Sequence, residues 1–177
     1  MTSYRTPRYL FTLFFFLTIL TSCTPSATPD EEKTVVPTTD TQLPTTLNLR
    51  DNLLQMRGIT PDFTQAEWKK GGLNRLQAWS PQTGYYLLGA LNNGQQQVTS
   101  LLILADNPAE SNAWIVNYHK QTLRDYLLVF HQNDLQNRTV GSDWQDGKLS
   151  IRLRKGAEYF TETFTIDPQG TFQPVSR

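Results

Sequence analysis

Beyond Gly72 the chain is built from short apolar or alternating runs that recur about every 10 residues, with turn-forming residues between them. The separators include Asn93-Gly94, Asp146-Gly147 and the stretch 167–170, whose residues tolerate tight turns or positive φ. This regular spacing of turn residues between apolar runs predicts an antiparallel β domain. The predicted strands cover residues 73–79, 85–91, 98–105, 114–119, 123–130, 149–153, 160–166 and 172–175.

The hydrophobic pattern differs between these runs. Residues 85–88, 101–104 and 126–130 are apolar at successive positions, which predicts that both faces of these strands are covered. In the run 149–153, apolar and polar residues alternate, which predicts one buried face and one wet face.

Two short helices are predicted before the strands. Apolar residues recur at helical spacing within 49–56, and Gly58 is a natural stop. Thr64 and Glu67 match a capping box at the start of a second helix, which ends by 71–72. The predicted fold class is α+β, with two short N-terminal helices packed on a meandering antiparallel β-sheet. A small curled β-barrel is the alternative.

The turn residues also predict strand register. A two-residue turn at Asn93-Gly94 would pair Leu91 with Gln96. A four-residue loop over 155–158 would place Glu162 opposite Ile151 in the last large hairpin.

Glu162 breaks the pattern of its strand, because it shares the expected core face with Phe160, Phe164 and Ile166. A buried carboxylate needs a partner or a raised pKa. Glu162 is therefore a candidate for a binding surface that points into a pocket. The preferred interpretation is that a sheet edge or a bulge leaves it wet.

The aromatic residues are a second source of candidate binding residues, although most aromatics belong to the core. Trp144 is flanked by Asp143 and Gln145 and lies beside the turn at Asp146-Gly147. This setting makes Trp144 the best candidate for an exposed aromatic that contacts a glycan or protein partner.

No arrangement of catalytic or metal-binding residues is apparent. His119 and His131 lie in neighbouring predicted strands about 23 Å apart at roughly 3.3 Å per residue, and they are interpreted as solvent-facing residues at strand ends. The sequence contains no nucleophile elbow, phosphate-binding glycine loop or zinc-protease motif. We therefore predict no catalytic residue, no cofactor and no metal. A catalytic pair of carboxylates of the glycosidase type could be drawn from four aspartates. All four lie at predicted turns or strand ends, where acidic residues are ordinary: Asp125, Asp134, Asp143 and Asp146.

The N-terminus has the organisation of a secretory signal. Arg5 and Arg8 precede an apolar core at 9–20, and small residues follow before the sole cysteine, Cys23. A core of about 12 residues is too short to cross a hydrocarbon layer that needs roughly 20. The sequence Leu20-Thr-Ser-Cys23 resembles the lipobox of bacterial lipoproteins. This resemblance implies cleavage before Cys23 and a diacylglycerol on its thiol.

The resemblance also implies a location. Two or more acyl chains, palmitate among them, would hold Cys23 stably at a bilayer. Thr24 follows the cysteine where an aspartate would signal retention in the inner membrane, so the outer membrane is favoured. We expect the folded domain to lie in the periplasm or at the cell surface.

Three segments follow from these observations: a signal peptide at 1–22, a lipid-anchored tether at 23–46 and a single domain at 47–177. The tether is rich in Thr, Pro, Ser and acidic residues and has no aromatic residue, so it is predicted to be disordered.

Charge narrows the classes of partner. The chain has 16 basic and 16 acidic residues and no long basic block, which argues against a nucleic-acid partner. The predicted function is that of a membrane-anchored envelope lipoprotein, not an enzyme, whose domain binds a protein or glycan partner. A lipocalin-like carrier of a small apolar ligand and a hydrolase with an unrecognised site are the alternatives.

Overall fold

A computed structural model describes residues 34–133, 138–155 and 158–175 of the chain. The predicted signal peptide and Cys23 therefore lie outside the described residues. The fold is mostly β, with 50% strand, 12% helix and two sheets of five and four antiparallel strands. The predicted α+β class is wrong.

The secondary structure elements follow the chain from the N-terminus of the domain. Two short α-helices and one 3₁₀ turn precede eight of the nine strands. Their bounds are β1 (Thr46–Asn48), α1 (Leu49–Met56), α2 (Gln65–Lys70), the 3₁₀ turn (Leu73–Arg75), β2 (Gly84–Leu91), β3 (Val98–Asp106), β4 (Glu110–His119), β5 (Thr122–Asn133), β6 (Arg138–Gln145), β7 (Lys148–Lys155), β8 (Glu158–Ile166) and β9 (Phe172–Pro174).

The strands form two sheets that are joined through β6. The first sheet has the order β2-β3-β4-β5, and the second has the order β1-β6-β7-β8-β9. Residues 138–140 of β6 pair with 131–133 of β5, whereas residues 141–145 pair with β7. Strand β6 therefore passes from one sheet into the other.

The main core lies between the two sheets. Leu102, Leu104 and Ile115 of the first sheet belong to the same buried cluster as Trp144 and Leu149 of the second. Because each sheet buries the apolar face of the other, the helices do not supply the second layer of the fold. This is the physical reason that the α+β prediction fails.

A second core lies on the other face of the first sheet. Trp68 of α2 and Leu73 of the 3₁₀ turn pack there with Tyr85 and Val116. Both faces of β3 are buried, as the sequence predicted for 101–104. The same prediction is wrong for 126–130, because Tyr126 and Leu128 are each 37% exposed.

The two predicted helices are confirmed, and α1 has the predicted bounds. The capping box of α2 is also present: Thr64 donates from its hydroxyl and its backbone N–H to the Glu67 carboxylate, at 2.7 and 2.8 Å. These hydrogen bonds, led by that of the Thr64 hydroxyl, hold the pKa of Glu67 below its ordinary value.

The predicted strand at 73–79 is instead a 3₁₀ turn and a loop. Large aromatic side chains hold this loop against the first sheet. The indole N–H of Trp68 donates to the Gln77 carbonyl at 3.0 Å, and the Tyr85 hydroxyl donates to the Ala78 carbonyl at 3.2 Å. These two backbone carbonyls of the loop therefore have hydrogen-bond partners although the loop does not pair with a neighbouring strand.

The loop between β2 and β3 is longer than predicted. Leu91 pairs with Ser100, not with Gln96. The side-chain amide of Asn93 turns inward and donates to the Val98 carbonyl and the Ser100 hydroxyl, at 3.1 and 2.6 Å. Through these hydrogen bonds, Asn93 holds the loop against the start of β3, and it does not form a two-residue turn.

Residues 34–46, which the sequence placed in the tether, pack on the domain. Leu43 is buried, its N–H donates to the Ala90 carbonyl, and the Ala90 N–H donates to the Thr41 carbonyl. This segment covers the outer edge of β2, a device that blocks unwanted strand pairing. The domain therefore includes residues that the boundary at 46 excluded.

Candidate binding cleft

An open cleft of about 430 Å³ lies at the end of the first sheet. The hairpin between β3 and β4 forms one side, and the C-terminal end of α1 forms another. This volume falls within the roughly 300–1,000 Å³ typical of small-molecule sites. The residues that line the cleft are Leu54, Arg57, Gln82, Asp106, Asn107, Pro108, Glu110, Ser111 and Gln132.

An ion pair between Arg57 and Asp106 joins the two sides of the cleft. The Arg57 side chain is 44% exposed and that of Asp106 is 13% exposed, so the pair is only partly screened by solvent. The Arg57 guanidinium also lies over the ring of Tyr86, 5.9 Å from its centroid. These contacts fix the guanidinium at the mouth of the cleft.

The β3–β4 hairpin orients the acidic side of the cleft. The Ser111 hydroxyl donates to Asp106 Oδ1 at 2.5 Å. The side-chain oxygen of Asn107 accepts hydrogen bonds from the backbone N–H groups of Ala109 and Glu110, at 2.9 and 3.1 Å. This local turn is one for which asparagine is favoured, and it brings Ser111 opposite Asp106.

Glu110 is also a lining residue and is half-buried. Within the described part of the chain its carboxylate accepts no hydrogen bond. Gln82, another lining residue, is exposed. The residues that line the cleft therefore include one basic residue, two acidic residues and several with amide or hydroxyl side chains.

The cleft lies at the opposite end of β4 from the first described residue, Thr34. Gly72 lies beside both Thr34 and Leu123, since a Cβ built on it would be 3.6 and 3.5 Å from their side chains. Leu123 pairs with Tyr118 at the far end of β4. Glu110 lies eight positions before Tyr118 in the same strand. At roughly 3.4 Å per residue, about 27 Å of strand separates these two residues.

Trp144, the predicted exposed aromatic, is fully buried. It pairs with Leu47 of β1 and Leu149 of β7 and points into the core between the sheets. The expectation of exposure is therefore wrong. The polar neighbours Asp143 and Gln145 point to the opposite face, because successive side chains of a strand alternate.

Glu162 lies opposite Ile151, as predicted, and its side chain is exposed. Phe160, two positions earlier on the same face, is 41% exposed. Ile151, the partner of Glu162, is 2% exposed, so the core reaches β7 here while the same face of β8 is wet. Glu162 does not line the cleft.

The two histidines are separated as predicted, because His131 pairs with Asn112, seven positions before His119 in β4. The interpretation of both as solvent-facing is wrong for His119, which is 3% exposed. His131 Nδ1 lies 2.7 Å from Asn112 Oδ1. Among the described residues, no three His, Cys, Asp or Glu side chains are grouped so that they could hold a metal ion.

Within the same residues, none of the helices is long and apolar enough to cross a membrane. Comparison of the chain with protein-family models, with curated proteins and with solved structures finds no match. The cleft residues were missed at the level of sequence because Arg57, Asp106 and Glu110 resemble ordinary helix-end and turn residues. They come together only because Arg57, which directly follows α1, reaches Asp106 at the end of β3.

Proposed function

We propose that this protein is a lipid-anchored protein of the bacterial envelope whose β domain is a non-catalytic binding module. Cys23 would carry the lipid, as its lipobox-like sequence implies. The cleft around Arg57 and Asp106 would be the binding site. The observation that carries the proposal is the position of this cleft, at the end of β4 opposite to the end near which Thr34 lies.

This position means that an anchored domain would turn its cleft away from the bilayer. The 11 residues from Cys23 to residue 33 form the proposed tether, and a chain of that length reaches at most about 35–40 Å. A tether of this length holds the entry end of the domain near the bilayer. The cleft at the other end then faces the aqueous compartment, where a partner can reach it.

Site-specific photo-crosslinking in the bacterial cell tests the proposal. Leu54 on the cleft rim and Tyr126 on the outer face of the first sheet are each 37% exposed, so they form a matched pair for replacement by benzoylphenylalanine. We expect a light-dependent adduct from position 54 and none from position 126. The adduct should disappear when Cys23→Ala releases the domain from the membrane.

Equal adducts from the two positions, or adducts from position 126 alone, would place the binding surface elsewhere. An adduct at position 54 that persists unchanged in Cys23→Ala would show that binding does not require membrane anchorage, which would contradict that part of the proposal.

A further inference from the structure

We infer that the domain docks on an anionic lipid surface through the end of β4 near which Thr34 lies. The inference rests on the proposed function, because the lipid on Cys23 would hold this end near a bilayer, and it names the residues that meet that bilayer. Four exposed basic residues, called the basic surface below, carry it: Lys69, Lys70, Lys120 and Arg124.

Three of the four basic residues come together because α2 ends against β4. Lys69 and Lys70 belong to the last turn of α2. The carbonyl of the next residue, Gly71, accepts a hydrogen bond of 2.8 Å from the Tyr118 hydroxyl. Lys120 follows two positions after Tyr118, in the turn between β4 and β5. The end of the helix and the turn of the hairpin therefore form one surface.

Arg124 joins this surface from β5. It directly follows Leu123, whose side chain would lie 3.5 Å from a Cβ built on Gly72, just after α2. The side chain of Thr34 would lie 3.6 Å from the same Cβ. The first described residue of the chain is therefore a neighbour of the basic surface.

The exposed charges around Gly72 are mostly positive. Among the described residues, none of the four basic side chains forms an ion pair. Asp125 and Asp167, in neighbouring segments, are half-buried and accept hydrogen bonds from backbone N–H groups. Glu67 is exposed, but it lies in the first turn of α2, where Thr64 binds its carboxylate. The lysines and the arginine are thus left to face solvent.

Val35 adds an apolar contact to the basic surface. Its side chain is 59% exposed, and its backbone N–H donates to the Lys70 carbonyl at 3.0 Å. Cations beside an exposed apolar side chain fit the boundary between headgroups and acyl chains, where phosphates and hydrocarbon lie close together.

The location of the basic surface selects the bilayer as its partner. Each Lys or Arg near an anionic lipid surface strengthens binding about fivefold. An acidic soluble protein would also attract four cations. The tether, however, would keep the bilayer at a high effective concentration beside this surface, and a soluble protein has no such advantage.

Vesicle flotation tests the lipid class without the anchor. The protein is the mature chain, residues 23–177, with Cys23→Ala. The probes are vesicles of phosphatidylcholine alone and vesicles of phosphatidylcholine and phosphatidylglycerol in equal parts. We expect the chain to float with the mixed vesicles only, and to be released in concentrated salt, which screens exposed charges.

A matched pair of variants locates the contact. Arg124→Gln removes one positive charge from the basic surface and should weaken binding to the mixed vesicles about fivefold. Arg152→Gln makes the same change at an exposed arginine of β7, next to Ile151, which is buried in the core between the sheets. This control variant should bind as the parent chain does.

Lipid crosslinking of the acylated wild-type chain in the mixed vesicles tests the orientation. Benzoylphenylalanine replaces Val35 on the basic surface or Ile59, a fully exposed residue two positions after Arg57 of the cleft. We expect phosphatidylglycerol adducts from position 35 and none from position 59.

Three results would overturn the inference: equal flotation with both kinds of vesicle, flotation with neither, or equal loss of binding in Arg124→Gln and Arg152→Gln. Equal adducts from positions 35 and 59 would also contradict it. Because the flotation assay uses a chain without a lipid, its failure would leave the anchor standing. Conversely, a wild type without a lipid on Cys23 would refute the anchor and leave the flotation result in place.

Discussion

The side-chain amide of Asn117 donates a hydrogen bond of 3.0 Å to the carbonyl oxygen of Gly170. Asn117 is fully buried on β4, and Gly170 lies in the turn between β8 and β9. The Ser100 hydroxyl donates to Asn117 Oδ1 at 2.6 Å and accepts from Asn93 at the same distance. This chain of hydrogen bonds ties the first sheet to the second.

Loss of the Asn117 amide should destabilise the domain strongly. Asn117→Ala leaves the Gly170 carbonyl and the Ser100 hydroxyl without their partner in a buried site, and we expect a loss of about 2–4 kcal/mol in the free energy of unfolding. Urea denaturation measures the difference. Asn92→Ala is the control, because the Asn92 side chain only accepts from Gly94 in an exposed turn and its loss should stay below about 1 kcal/mol. Equal losses would contradict the structural role of the network.

The turn between β4 and β5 should be improvable. Lys120 and Gln121 have φ angles of 49° and 64°, the positive values that a two-residue hairpin turn requires but that these residue types disfavour. Replacing them with Asn and Gly should stabilise the domain by about 1 kcal/mol. The reciprocal change, Lys-Gln in place of Asp146-Gly147, should destabilise it by a similar amount. A thermal unfolding midpoint that does not rise in the Asn-Gly variant would contradict the assigned turn.

Local signals in the sequence were sufficient for the features that local chemistry decides. The capping box at Thr64 and Glu67 and the turn at Asp146-Gly147 involve residues that contact one another directly. Strand β6 was missed because Arg138–Gln145 carries few apolar residues, and it is a strand through its pairing with distant segments. The fold class was missed for the same reason, since no local pattern records that one sheet packs on another.

The contact between the segment 41–43 and β2 depends on Gly89. Its φ is 152°, and an added Cβ would lie 2.8 Å from the Leu43 side chain and 2.9 Å from the Thr41 carbonyl. Gly89→Ala should therefore lose about 3 kcal/mol of stability and speed proteolysis within 34–46. Gly94→Ala, with φ of 74° and no atom within 4 Å of the added Cβ, should lose only about 1 kcal/mol. Equal proteolysis in the two variants would mean that residues 34–46 do not depend on this contact.

Asp167 should contribute a pH-dependent part of the stability. The backbone N–H of Thr171 donates to its carboxylate, with further bonds from Gln173 and Gln169, and these lower the pKa of Asp167 below its ordinary value of 3.8. A group whose pKa is lower in the folded state stabilises the fold fully above the unfolded pKa, and the contribution is lost as the pH falls through the folded pKa. The stability difference between the wild type and Asp167→Asn should therefore be constant from pH 7 to about pH 5 and shrink below about pH 4. Urea denaturation midpoints at each pH measure this stability difference. A difference that grows as the pH falls would contradict a lowered pKa of Asp167 in the folded state.

The candidate site was less accessible to sequence reasoning than the fold. Trp144 was chosen for its polar neighbours, but strand alternation sends those neighbours outward and the indole inward. The register of Glu162 was correct, because it depends on one hairpin. The cleft depends on the ion pair between Arg57 and Asp106, which lie some 50 positions apart, and no sequence spacing predicts that contact.

The lipid on Cys23 is the claim on which the proposed function depends most directly. Radioactive palmitate fed to a bacterial host that expresses the full chain should label the wild type, and mass spectrometry of the mature N-terminal peptide should find a diacylglycerol-modified residue 23. Cys23→Ala should carry no label and should leave the membrane fraction. Equal labelling of the wild type and Cys23→Ala, or a mature N-terminus with an unmodified cysteine, would contradict the account.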